Sequence, residues 1–77
     1  MAKDISERIE KDITMFKDSA EKLAALKLSV KEKEILELAI SYSKDAKSWL
    51  EKGDLYTAFA SISYAHGLLD ALIRIKT

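Results

Sequence analysis

The chain has 77 residues, 48% of them hydrophobic and 34% charged, with two Gly, no Pro and no Cys. That composition excludes a disulfide scaffold, a Cys-ligated zinc site and a low-complexity linker, and the length allows one domain, residues 1–77. Thirteen Lys and Arg balance thirteen Asp and Glu, and the balance holds separately over 1–34, 35–53 and 54–77, so a nucleic-acid partner that neutralises phosphates is not expected.

The first helix is expected from about Asp4 to Leu26. Ile5, Ile9, Ile13, Phe16, Ala20 and Leu23 recur at intervals of three and four and form one narrow apolar stripe. The other faces are charged, with i,i+4 pairs at Asp4–Arg8, Glu7–Lys11 and Asp18–Lys22.

Ser29-Val30-Lys31-Glu32 matches a capping box. There the Ser hydroxyl and the Glu carboxylate each accept a backbone N–H at a new helix start. The second helix is expected over about 30–52, burying Ile35, Leu36, Ala39, Tyr42, Ala46, Trp49 and Leu50. Tyr42 and Trp49 are read as core rather than as a stacking platform for bases. Lys44, Lys47 and Lys52 form a modest basic edge, for which a solvated face is the plain account.

Gly53 stands where a helix ends in a left-handed residue, and Asp54 follows as the N-cap of a third helix over about 54–75. A connection this short folds helices two and three into an antiparallel hairpin. The fold class is therefore all-α, a three-helix antiparallel bundle.

Helix three is apolar on most sides. Leu55, Ala58, Phe59, Ile62, Ala65, Leu69, Leu72 and Ile73 share one broad face. A second stripe runs Tyr64, Leu68, Ala71 and Ile75, with Tyr56 toward the polar strip. Packing against both partners absorbs the first face. The second is a candidate interface for a homodimer or another protein; a Tyr-capped surface stripe on a monomer is the alternative. Gly67 with Ser63 forms a small-residue pair, expected at a close packing contact within the bundle.

His66 is the single histidine, and Asp70 follows one turn later. A carboxylate at that spacing can orient an imidazole as a general base requires, which makes the pair a candidate ligand site. The competing account is a polar core site, with the ring satisfied by Asp70, a Tyr or a Ser. No catalytic residue is assigned, because no nucleophile motif accompanies the pair. No metal is expected from one His and no Cys, and no cofactor, since two isolated Gly build no phosphate loop. Residues 1–10 lack the apolar core of a signal peptide, and Leu55–Leu69, the longest uncharged stretch, is too short to span a bilayer. A cytoplasmic location without membrane attachment is expected.

The string Tyr64-Ala65-His66-Gly67-Leu68-Leu69-Asp70-Ala71, with the Gly53-Asp54 turn and the Ser43-Lys44-Asp45-Ala46-Lys47 segment before it, resembles the signature of an archaeal family, domain of unknown function 357. The resemblance covers nearly the whole chain and implies a compact helical domain in an archaeal cytosol, with no activity attached. A looser resemblance, in the Gly-Asp turn and Ala-rich final helix, is to the HEPN domains. It implies a nucleotide- or RNA-binding alternative with His66 and Asp70 at its site. Ribonuclease members of that group carry Arg, four to six residues, then His; the corresponding positions here are Ser61, Ala60 and Phe59, so the nuclease motif is absent. The expected function is thus a non-enzymatic interaction or self-associating module.

Overall fold

The computed structural model describes residues 4–76; the rest of the expected 1–77 domain, residues 1–3 and 77, lies outside the described residues. Three α-helices follow one another: α1 (Ile5–Ala24), α2 (Val30–Glu51) and α3 (Leu55–Lys76). All three pack together, α2 and α3 most extensively, α1 and α2 least. This is the expected three-helix bundle, and each helix end falls within two residues of its expected position.

Local chemistry sets those ends. Asp4 caps α1 by accepting from the Ser6 N–H at 3.2 Å. Ser29 and Glu32 form the full capping box: Glu32 N–H donates to Ser29 Oγ at 3.2 Å, and Ser29 N–H to Glu32 Oε1 at 2.8 Å. At the end of α2, Gly53 adopts φ +85°, where an L side chain is strained. Its N–H donates to Leu50 O and the Asp54 N–H to Trp49 O, each at 3.0 Å, so two carbonyls of the last turn are satisfied. Asp54 then opens α3, accepting from Thr57 N–H at 3.0 Å and Thr57 Oγ1 at 2.8 Å.

Both capping carboxylates are held below their ordinary acidity ranges. For Asp54 the main cause is the Thr57 N–H, then the Thr57 hydroxyl. For Glu32 it is the Ser29 N–H, with the Lys76 ammonium adding to it. A depressed carboxylate contributes stability above its unfolded pKa and loses it as pH falls through the folded value. Wild type should therefore unfold at a higher temperature than Asp54→Asn/Glu32→Gln at pH 7. The gap should begin to shrink near the ordinary values of 4.5 and 3.8 and close once the pH has fallen below the lowered folded values. A gap that stays constant with pH, measured by circular dichroism melting, is the contrary result.

The expected ion pairs along α1 are not closed. Among the described residues the only ion pair is Lys76 Nζ to Glu32 Oε1 at 3.2 Å, and the same ammonium donates to Lys27 O at 3.0 Å. Asp4–Arg8, Glu7–Lys11 and Asp18–Lys22 stay apart, as exposed pairs do when screening and side-chain entropy offset the Coulomb gain.

The core runs along Ile9, Phe16, Ala20 and Leu23 of α1, Leu36, Ala39 and Ala46 of α2, and Ala58, Ile62, Ala65, Leu69 and Leu72 of α3. Four fully buried alanines line the α2–α3 contact: Ala39 and Ala46 on one helix, Ala58 and Ala65 on the other. The hairpin turn at Gly53 pairs Ala39 with Ala65 and Ala46 with Ala58 by position. Small side chains there let the two backbones approach closely.

Three large residues are not where their spacing placed them: Ile5 is 47% exposed, Phe59 39% and Trp49 37%. Ser43 takes the buried position on α2 instead, with Tyr42 half-buried at the core's edge. Trp49 lies at the rim with the Lys52 ammonium 4.9 Å from its ring centroid. With alanines at the closest approach of α2 and α3, rings of this size are accommodated only at the edges of the contact.

Candidate functional site

His66 lies on the flank of α3 that faces α1. Its Nε2 is 3.0 Å from the backbone oxygen of Asp12. A carbonyl oxygen can only accept, so Nε2 carries the hydrogen and donates it. The ring also meets Phe16 edge-on, with centroids 5.7 Å apart and planes at 88°. The imidazole thus joins α3 to the middle of α1.

Asp70 is not its partner. Asp70 is exposed, and among the described residues it makes no hydrogen bond or ion pair. The expected one-turn His66–Asp70 bond is replaced by a bond to a residue 54 positions away. On a helical wheel Asp70 sits farther from the core than His66 does, so its carboxylate stays hydrated while the ring turns inward. No hydroxyl or carboxylate of the described residues hydrogen-bonds the ring. Among the described residues no group of three His, Asp or Glu is placed to hold a metal ion.

His66→Ala should cost about 2 kcal/mol, the sum of one hydrogen bond and one aromatic contact. Urea unfolding measures it. A change within about 0.3 kcal/mol of wild type would mean that the ring contributes little to the fold.

The second stripe of α3 occupies the opposite flank, since Tyr64 stands about 160° round the helix from His66. Tyr64 is 53% exposed and Ile75 64% exposed; Ala71 is exposed, and Leu68 is half-buried against the core. This stripe does not stand alone. Tyr64 packs on Tyr42 of α2, ring centroids 4.6 Å apart and planes at 72°. Leu38 and Trp49, four residues before and seven after Tyr42, share its side of α2, and both are exposed. The two helices together therefore present an apolar face on the side of the hairpin away from α1. The α2 half of that face was missed by spacing alone, because Tyr42 and Trp49 fit a core stripe equally well.

Gly67 and Ser63 are exposed, and a Cβ added at Gly67 would meet nothing within 4 Å. The small-residue pair therefore serves no contact within the bundle, contrary to its expected place. The buried line of α3 runs through Ala58, Ile62, Ala65 and Leu69, on the other side of the helix.

Among the described residues no helix is long and apolar enough to cross a membrane. A family model described as protein of unknown function (DUF357) matches residues 11–77. No curated protein matches the chain.

Proposed function

The chain belongs to the DUF357 family of proteins of unknown function, a membership that names no reaction, and we propose from its surface that it is a non-enzymatic interaction module that self-associates. The observation that carries this reading is the open face of the α2–α3 hairpin. α1 covers one side of the hairpin. The other side carries Leu38 and Trp49 of α2 beside Tyr64, Ala71 and Ile75 of α3, all exposed. Contiguous apolar surface of this kind marks sites of association more often than scattered apolar residues do. A second copy offers the same face, and a two-fold pairing buries both at once. The cysteine-free composition suits a cytoplasmic setting, and the family likeness an archaeal one.

Sedimentation equilibrium tests the proposal. The mass should rise with concentration from 8.7 kDa toward about 17 kDa, twice the chain mass. Tyr64→Glu and Ile75→Glu should each hold it at the monomer value, because a buried carboxylate is costly across an interface. Both side chains are already half in water, so the fold tolerates the change; Leu68 packs on the core and would confound it. A wild-type mass fixed at 8.7 kDa at all concentrations removes the second copy as the occupant.

A further inference from the structure

A groove separates α1 from α2, the pair of helices in least contact. Its volume is about 420 Å³, within the range of about 300–1,000 Å³ typical of small-molecule sites. Ile13, Phe16, Ala20 and Ile40 supply its apolar lining, and Lys17, Lys44 and Lys47 stand around it with Glu21. Among the described residues none of these three lysines forms an ion pair.

Ser43 also lines the groove. It is only 9% exposed, and its side chain makes no hydrogen bond among the described residues. Among the described residues no side-chain polar atom is wholly enclosed and unpartnered, so the Ser43 hydroxyl keeps some access to solvent, and Ser43 lines the groove. Along the antiparallel helices Ser43 lies level with Lys17 and Lys44. Ala20 and Ile40 lie beyond them toward the α1–α2 connection. In the other direction the groove continues past Ile13 to Glu10 and Glu51.

We propose that this groove binds a single-chain carboxylate amphiphile of the medium-chain fatty-acid class. The carboxylate sits among Lys17, Lys44 and Lys47 and accepts the Ser43 hydroxyl, and the chain lies on Phe16, Ala20 and Ile40. Three unpaired cations over an apolar floor call for a ligand anionic at one end and apolar along the rest. Glu21 on the rim disfavours a more highly charged head group. Glu10 and Glu51 repel the head from the other end, which fixes the direction of the chain. The site is separate from the α2–α3 face, so the two proposals stand or fall independently.

The test is titration of isotopically labelled protein with decanoate, followed by amide chemical shifts and calorimetry. Saturable one-to-one binding is expected, with shifts centred on Ile13, Ala20, Ile40 and Ser43. Decyltrimethylammonium, with the same chain and the opposite charge, should bind at least tenfold more weakly. Lys17→Gln/Lys44→Gln should weaken decanoate binding at least tenfold with the helical spectrum unchanged. Removing the same charge elsewhere, as in Lys11→Gln/Lys31→Gln, should leave it intact, and Ser43→Ala should weaken it severalfold. Equal binding of the two amphiphiles, or no saturation below the concentration at which decanoate self-associates, overturns the proposal. So does a shift pattern centred on Tyr42, Tyr64 and Ile75, or binding of an acidic amphipathic peptide in place of decanoate.

Discussion

Ile62→Ala should lower stability by about 3 kcal/mol, the usual cost of a large-to-small change in a core that cannot close the cavity. Ile62 is fully buried in the middle of the core. A chain of this size carries a total stability of roughly 4–12 kcal/mol, so the change removes a large share of it. The midpoint of thermal unfolding should fall by roughly 12–24 °C. Trp49→Ala is the informative comparison. Side-chain size alone would rank Trp49 above Ile62. With over a third of its surface in water and a place outside the core cluster, Trp49 should cost well under half as much. Melting curves that rank Trp49→Ala as the more damaging change would show that the tryptophan, and not the Ser43 line, faces the core.

Ala65→Leu should be nearly as harmful, costing about 2–3 kcal/mol by overpacking. Leucine and alanine differ little in helix propensity, so the penalty comes from the α2–α3 contact. Ala65 is fully buried and lies opposite Ala39, itself fully buried. Three further heavy atoms there must push α3 from α2 or take a strained rotamer. Ala60→Leu, on the exposed face of the same helix, should change stability by less than about 0.5 kcal/mol. Denaturant unfolding of both variants measures the contrast. Equal, small effects would mean that the hairpin packs loosely enough to absorb a leucine.

The candidate site divides along the same line between local and distant interactions. The Tyr64–Leu68–Ala71–Ile75 stripe was legible because it is a property of one helix. That Leu38, Tyr42 and Trp49 extend it was not, since this depends on how α2 is turned about its own axis. Two heptad-like lines on α2 share Ala39 and Ala46. One adds Ile35, Tyr42 and Trp49, the other Leu36, Ser43 and Leu50. Hydrophobicity favours the first line, and the structure buries the second at its centre.

By itself the sequence determined three helices, their order and their ends. Those ends are made by the Ser29–Glu32 box, the left-handed Gly53 and the Asp54 cap, interactions spanning no more than five residues and therefore written in the local order of side chains. Only the tertiary structure decided that Ser43 is enclosed while Trp49 is not, that His66 bonds to the Asp12 carbonyl rather than to Asp70, and that Gly67 faces water. Each depends on the rotation and separation of whole helices. The alanine contact between α2 and α3 accounts for the first: where backbones approach most closely only small side chains fit, and larger apolar residues are displaced to the edges whatever their hydrophobicity.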